Sequence, residues 1–159
     1  MEQIEFEKMY QDDKFHWWYL SRQRIIINYM KRLNYEDTNL RILDLACACG
    51  ANLDYFSKYG KIIGIDISSE SLKFSKMNGS PLLVQGDAHN LPFDNNSFDL
   101  ALGIDCLEHF ENDTEVIGQV YRLLKREGRF VVTTPAYMQL WSVHDEAYHH
   151  LRRYTASKI

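Results

Sequence analysis

Two apolar segments of the sequence carry an acidic residue near their carboxyl ends, and a loop of small residues follows the first. Asp44 lies in the segment 42–45, small residues fill 46–50, and the second segment, 62–65, ends at Asp66. A carboxylate after a strand can accept hydrogen bonds from both hydroxyls of a ribose, and small residues let a ligand approach the backbone. Together these features predict a ribose-binding crevice in a Rossmann-like sheet.

The composition of the small-residue loop indicates which ribose-containing ligand is expected. A pyrophosphate-binding G-x-G-x-x-G loop would need glycine where the chain has Ala46, Ala48 and Ala51. Asp44 would repel a phosphate, but it suits a cation or a hydrogen-bonded amine. A ligand with a ribose, a purine and an amino-acid cation therefore fits better, and S-adenosylmethionine carries all three.

Alternating strand and helix patterns between residues 41 and 135 would position these groups, and they predict βα units in a mostly parallel sheet. Strands are predicted over 41–45, 61–66, 82–85, 98–103 and 129–134. Helices are predicted over 51–59, from a Ser68 cap to Asn78-Gly79, and from an Asn112 or Asp113 cap to Gly128. The last helix has an apolar stripe formed by Val116, Ile117, Val120, Tyr121 and Leu124.

The composition favours one α/β domain over residues 1–159, because 159 residues with 45% hydrophobic side chains can bury one core of ordinary size. We divide it into an N-terminal helical cap (1–38), a Rossmann-like core (39–135) and a substrate-side segment (136–159). A net charge of −4 argues against nucleic acid as a partner. No apolar run approaches the length of a membrane span and no signal peptide is apparent, so a cytoplasmic location is predicted.

Cysteine and histidine spacing does not indicate a redox or metal site. Cys47, Cys49 and Cys106 form an odd set with a C-x-C pair, which favours buried small thiols. The cluster of His144, His149 and His150 lacks a carboxylate or cysteine at a recognisable ligand spacing. No metal is therefore predicted.

These features resemble the class I S-adenosylmethionine-dependent methyltransferases, whose first motif is [DE]-x-G-x-G-x-G. Residues 44–50 read DLACACG, so the register and the final Gly50 match, while Ala46 and Ala48 replace two glycines. Because alanine disfavours positive φ, we expect both alanines at negative φ. The Trp17-Trp18 segment and residues 141–155 further resemble an uncharacterised bacterial and archaeal subgroup.

The resemblance implies a cofactor site on the loops that follow the strands. Asp66 would bind the ribose hydroxyls, Ile67 would border the adenine, and Asp87 would lie near the adenine amino group. Arg22 could pair with the methionine carboxylate of the cofactor, although a solvated helix-face arginine is an equal alternative. The full set of predicted cofactor-binding residues is Arg22, Asp44, Ala46, Cys47, Ala48, Gly50, Asp66, Ile67, Asp87, Ala88 and Ile104.

Methyl transfer from a sulfonium is an in-line displacement, so a base is needed only when the acceptor is protonated. His109 and His144 are the candidate bases, with Asp105 next. His109 as a packing histidine is the alternative. The residues predicted to contact the acceptor are Trp18, His149, Arg152, Arg153 and Tyr154. Burial of the Trp17–Tyr19 aromatics against the sheet edge, and simple solvation of the basic segment, are the alternatives for these residues.

The resembled family has a seven-stranded sheet, and this sequence predicts five strands, so the last two are expected to be absent. An exposed sheet edge is usually covered, which predicts either a truncated chain or a chain that completes its sheet through a partner, with a homodimer as the expected form. The predicted function is methyl transfer from S-adenosylmethionine to a small-molecule or carrier-linked acceptor, with S-adenosylhomocysteine as product. The alternative is a non-catalytic S-adenosylmethionine-binding module or an inactive truncated domain. A nucleotide-binding oxidoreductase is opposed by the absence of G-x-G-x-x-G.

Overall fold

A computed structural model of the chain describes residues 7, 10, 16–32, 35, 39–77 and 82–158. The described strands are β1 (Leu40–Leu45), β2 (Gly60–Asp66), β3 (Leu83–Gln85), β4 (Phe98–Ile104) and β5 (Leu124–Thr133). The described α-helices are α1 (Trp17–Arg32), α2 (Ala51–Phe56), α3 (Ser69–Met77), α4 (Asp113–Leu123) and α5 (Val143–Ala147). No described helix has the length and apolar character needed to cross a bilayer.

The five described strands form one parallel sheet in the order β3-β2-β1-β4-β5. The chain therefore moves outward from β1 through β2 to β3, and then crosses to the other side of β1 to form β4. This reversal leaves a crevice outside the carboxyl ends of β1 and β4, which is where ligands bind in open α/β sheets. The predicted Rossmann-like sheet is confirmed.

Helices cover both faces of the sheet, so β1 and β4 are buried on both sides. On one face, Ile26 and Met30 of α1 pack in a cluster with Ile42 and Leu100. On the other face, Val116 of α4 packs in a second cluster. The strands therefore read as nearly continuous apolar runs, as expected for a buried parallel sheet.

The end predicted at Gly128 for the helix that begins at Asn112 or Asp113, which is α4 in the structure, was wrong. Helix α4 ends at Leu123, and Leu124 already pairs with Phe98 at the start of β5. Leu100 next pairs with Arg129, so residues 125–128 bulge between the two pairs. Pairing with β4 outweighs the local helical pattern, and it makes the strand longer than predicted.

The predicted stripe of that helix was also wrong at two positions, because Leu124 already belongs to β5 and Tyr121 points away from the sheet. Tyr121 is 80% exposed, whereas Leu123 is buried. The buried face follows Val116, Val120 and Leu123 at i, i+4 and i+7, so position 121 points away from the sheet.

The other predicted helices have similar positions with different ends. Helix α2 ends at Phe56, and a 3-10 turn over Ser57–Tyr59 leads into Gly60. Helix α3 follows Ser68 as predicted, but its predicted stop at Asn78-Gly79 lies outside the described residues. The division into cap, core and substrate-side segment stays a prediction.

Candidate active site

Asp44 lies on β1 with 1% of its surface exposed, and neither carboxylate oxygen has a hydrogen-bond partner among the described residues. Burial raises the pKa of the Asp44 carboxyl group to about 8, although the positive charge of Arg22 acts in the opposite direction. The group is therefore largely protonated at neutral pH. An approaching cation would favour its ionised form.

The loop after β1 adopts the shape of a glycine loop despite its alanines. Ala46 has φ 52° and Ala48 has φ 47°, so the expected negative φ values were wrong. The loop is held to β2, because the Cys47 N–H donates to the Ile65 carbonyl oxygen at 3.0 Å and the Ala48 N–H donates to Asp66 Oδ2 at 2.9 Å. These contacts offset a cost of roughly 1–2 kcal/mol for each left-handed alanine.

Gly50 ends this loop at the point where α2 begins, with φ 84°. A Cβ atom at this position would lie 2.3 Å from Ser75 Oγ of α3. The glycine is therefore required both by the backbone conformation and by the close approach of a helix.

Asp66 joins the loops that follow β1 and β2. Its Oδ2 accepts the Ala48 N–H, and its Oδ1 accepts the Ser68 N–H at 2.8 Å. Each carboxylate oxygen can accept a second hydrogen bond, so the group keeps acceptor capacity for a ribose. Ile67, next in the chain, is exposed at this edge of the sheet.

The loop after β3 contains the predicted Asp87 and Ala88. Asp87 Oδ1 accepts the His89 N–H at 2.9 Å and lies 2.8 Å from His89 Nδ1. The hydrogen bond from the His89 backbone lowers the pKa of Asp87. The Asp87 carboxylate is exposed and ionised, while Ala88 is buried.

Helix α1 is connected to the carboxyl edge of the sheet by an ion pair between Arg22 and Asp105, the residue that follows β4. Thr133 Oγ1 donates to Asp105 Oδ1 at 2.7 Å and fixes the acceptor side of this pair. Arg22 is mostly buried, so the alternative of a solvated helix-face arginine was wrong. Its buried Nε has no hydrogen-bond partner among the described residues.

The two tryptophans at the start of α1 are exposed, whereas Tyr19 is half-buried. Trp17 is 67% exposed and Trp18 is 51% exposed, so the alternative of burial was wrong for both. The fully buried residues of α1 begin at Gln23, after its first turn.

Three residues predicted to contact the acceptor have protein partners. Arg153 forms a two-pronged pair with Asp145, with Nε to Oδ1 at 2.8 Å and Nη2 to Oδ2 at 2.7 Å. Tyr154 is buried, and its hydroxyl donates to Asp113 Oδ2 at 2.6 Å. Arg152 Nη1 donates to the same carboxylate at 3.2 Å. These contacts tie the segment after α5 to the rest of the domain.

The remaining predicted residues differ in how deeply they are buried. Ile104 is buried at the end of β4. His144 and His149 are exposed, and the His144 ring lies 4.4 Å from the Tyr148 ring. The three cysteines are buried thiols, as predicted, and none of them forms a disulfide; they are Cys47, Cys49 and Cys106.

Glu108 and Asp145 were missed by the sequence analysis. Both are completely buried. Thr134 Oγ1 donates to Glu108 Oε2 at 3.1 Å, while Oε1 is buried with no partner among the described residues. Burial raises the pKa of Glu108 to about 7. The only local signal for Glu108 was its place directly after the apolar pair Cys106-Leu107.

The fold and the site define the class of protein. A parallel sheet of this strand order, with acidic residues at the carboxyl ends of β1 and β2, has the architecture of the Rossmann-like cofactor-binding enzymes. The family model of the methyltransferase domain matches residues 43–132, more than half of the chain. The chain belongs to this family, the class I S-adenosylmethionine-dependent methyltransferases.

Individual relatives agree with this assignment. The uncharacterised methyltransferase YcgJ of Bacillus subtilis is 32% identical over 120 residues, which are 71% of this chain and 47% of that protein. Its crystal structure matches with a TM-score of 0.65 and 27% identity over 80% of this chain and 62% of that chain. Norajmaline N-methyltransferase of Rauvolfia serpentina is 30% identical over 118 residues, which are 67% of this chain and 40% of that protein.

A further structure shows the same fold at lower identity. It is a candidate S-adenosyl-L-methionine-dependent methyltransferase of Methanococcus maripaludis, with a TM-score of 0.72 and 21% identity over 84% of this chain and 64% of that chain. The chain spans about half the length of the curated relatives that it matches.

Proposed function

We propose that the chain binds S-adenosylmethionine in the crevice at the carboxyl ends of β1 and β4, beside the end of β2, and transfers its methyl group to a small-molecule or carrier-linked acceptor. The observation that carries this proposal is the position of Asp66. Its carboxylate holds the loop after β1 through Ala48 and the start of α3 through Ser68. Its two oxygens can still accept hydrogen bonds from the two hydroxyls of a ribose, and they lie where the family binds the ribose of its cofactor.

Two further groups fit the amino-acid part of the cofactor. Asp44 offers a buried carboxyl group without a partner, and Arg22 offers a buried Nε–H without a partner, both among the described residues. Burying a polar group without a hydrogen bond is unfavourable, so each is stabilised when a ligand supplies the missing partner. An α-ammonium group for Asp44 and an α-carboxylate for Arg22 are the matching charges.

When it is bound, S-adenosylmethionine supplies an electrophilic methyl group on a sulfonium. The residues of the chain must then orient the acceptor, exclude water and, for a protonated acceptor, take up a proton. His109 is the first of the proposed bases, because the surroundings of its ring lower its pKa to about 4 and keep it neutral. Such a weak base suits an acceptor whose proton is acidic.

The other proposed bases are less favourably placed. Asp105 is engaged by Arg22 and Thr133, which supports a role in positioning α1 over the crevice. His144 is exposed on α5. Trp18, His149 and the basic segment remain proposed acceptor contacts, although the contacts of Arg153 with Asp145 support a structural role for that residue.

The test is a calorimetric titration of the chain with S-adenosylmethionine, S-adenosylhomocysteine and NAD. We expect micromolar binding of the first two, no binding of NAD, and loss of binding in Asp66→Ala. Asp94→Ala is the matched control, because Asp94 is exposed and lies outside the proposed site. Circular dichroism checks that both variants are folded. Tight binding of NAD, or full binding by a folded Asp66→Ala variant, contradicts the proposal.

A second candidate function is a cofactor-binding module that does not catalyse. The left-handed alanines favour it, because the methyl groups of Ala46 and Ala48 narrow the loop at which the family binds its cofactor. An acceptor screen with radiolabelled S-adenosylmethionine separates the two candidates. Cofactor binding without labelled product across small-molecule and carrier-linked acceptors supports the module.

The predicted homodimer and cytoplasmic location also stay proposals. Among the described strands, β3 and β5 lie at the two edges of the sheet. A second copy that pairs along one of these edges would cover its free backbone groups. Size-exclusion chromatography with light scattering measures whether the chain is a dimer.

A further inference from the structure

Three potential metal ligands meet beside the crevice. Glu108 and His109 follow β4, His150 follows α5, and one ligand atom from each lies within 4.8 Å of the others. The Leu151 N–H donates to the Glu108 carbonyl oxygen at 2.8 Å, which joins the two segments. The cluster is therefore held by the backbone and not only by its side chains.

Glu108 presents an oxygen that needs a partner. The residue is completely buried, Thr134 occupies Oε2, and Oε1 has no partner among the described residues. A buried carboxylate without a compensating charge is strongly unfavourable. A cation at the cluster would supply that charge.

His150 is oriented for ligation by a second carboxylate. Its Nδ1 lies 3.0 Å from Asp145 Oδ1, and Asp145 is itself held by the two-pronged pair with Arg153. An imidazole that donates from Nδ1 to a carboxylate has its Nε2 lone pair available for a metal. This carboxylate–histidine arrangement is the usual outer shell of metal-binding histidines.

His109 provides the third ligand of the cluster. Its ring lies 4.9 Å from the His150 ring in an edge-to-face arrangement. The His109 side chain is exposed to solvent, so a metal ion can reach it.

We propose that Glu108, His109 and His150 bind one divalent transition-metal ion of the zinc class, with Asp145 orienting His150. Two imidazoles and one carboxylate favour such an ion over Mg²⁺ or Ca²⁺, which prefer oxygen ligands. Three protein ligands leave one tetrahedral position open, as catalytic zinc sites do. A water molecule or an oxygen atom of the acceptor can take that position. With the ion bound, His109 is a ligand and no longer a base, because a coordinated imidazole has no lone pair left to take up a proton.

The cluster needs only a small adjustment to bind such an ion. With metal–ligand distances of about 2.0–2.1 Å, ligand atoms in a tetrahedral site lie roughly 3.4 Å apart. The present separations of up to 4.8 Å would therefore close by up to about 1.4 Å, which side-chain rotation can supply. The spacing of His144, His149 and His150 could not indicate this site, because its carboxylate comes from a distant part of the chain.

The test uses the full chain without a polyhistidine tag, stripped with a chelator and titrated with Co²⁺ while visible absorption is recorded. We expect saturation at one equivalent, intense bands typical of low-coordinate Co²⁺, and displacement by Zn²⁺. His150→Ala, His109→Ala and Glu108→Gln should each weaken Co²⁺ binding by about tenfold or more. His144→Ala is the matched control and should bind Co²⁺ as the wild type does, because it removes a nearby histidine outside the cluster.

The proposal is overturned if the chain fails to bind Co²⁺, if a folded His109→Ala variant binds it unchanged, or if His144→Ala weakens binding as much as His150→Ala. Thermal melts establish which variants are folded. If the variants of the more buried residues do not fold, Co²⁺ binding by His109→Ala tests the proposal alone, because His109 is exposed and its substitution should leave the fold intact. The proposal does not rest on methyl transfer, because the measurement uses the metal ion alone, so its failure leaves the cofactor titration unaffected.

Discussion

Replacing Asp44 by asparagine removes a buried carboxyl group that makes the folded state sensitive to pH. Its pKa rises from 3.8 to about 8, mainly because of burial. Between these values the folded chain holds a proton that the unfolded chain has lost, so the free energy of unfolding falls as pH rises. With 1.36 kcal/mol for each pKa unit, this loss is on the order of 3–4 kcal/mol between pH 5 and pH 8.

The asparagine variant lacks this proton, so we expect its free energy of unfolding to fall less over the same range. Urea unfolding followed by circular dichroism at pH 5, 6, 7 and 8 measures the wild type, Asp44→Asn and the exposed control Asp94→Asn. The difference between the wild type and Asp44→Asn should change steadily with pH, whereas Asp94→Asn should run parallel to the wild type. Other titrating groups cancel in this difference.

Parallel curves for the wild type and Asp44→Asn would refute the reasoning. They would mean that Asp44 ionises in the folded chain as it does in water, and that the end of β1 is well solvated. The proposed role of this carboxyl group as the partner of a buried ammonium group would then lose its physical basis.

Three other substitutions test the contacts around the site by urea unfolding. Ala48→Gly should leave the free energy of unfolding within about 1 kcal/mol of the wild type or raise it, because relief of the left-handed alanine offsets the entropy of glycine. Tyr154→Phe should lower it by about 1–3 kcal/mol, because the hydroxyl that donates to Asp113 is lost in a buried site. Arg153→Lys should lower it as well, because an ammonium group cannot make the two-pronged contact with Asp145.

Each of these substitutions has a matched control. Ala51→Gly at the start of α2 should lower stability by about 0.5–1 kcal/mol, because no positive φ is relieved there. Tyr121→Phe and Arg126→Lys change exposed side chains and should leave the free energy of unfolding unchanged. A variant that behaves like its control contradicts the contact assigned to it.

The order of strands and helices and the position of the crevice could be predicted because they depend on local patterns. Buried parallel strands read as apolar runs, and the residues that follow them necessarily meet at one edge of the sheet. Asp44 and Asp66 therefore lie, as predicted, at the carboxyl ends of β1 and β2. The start of β5 could not be predicted, because the pairing of Leu124 with Phe98 overrides a helical pattern that continues past it.

By itself, the sequence determined the sheet, the loop after β1 and the family, because these follow from periodicity and from motifs within a few residues. Only the tertiary structure decided which side chains have partners. The left-handed φ of Ala48 depends on a hydrogen bond to Asp66, and the cluster of Glu108 and His150 depends on two segments that meet after β4 and after α5. Such contacts join residues far apart in the chain, and their energies depend on burial, which local patterns do not record.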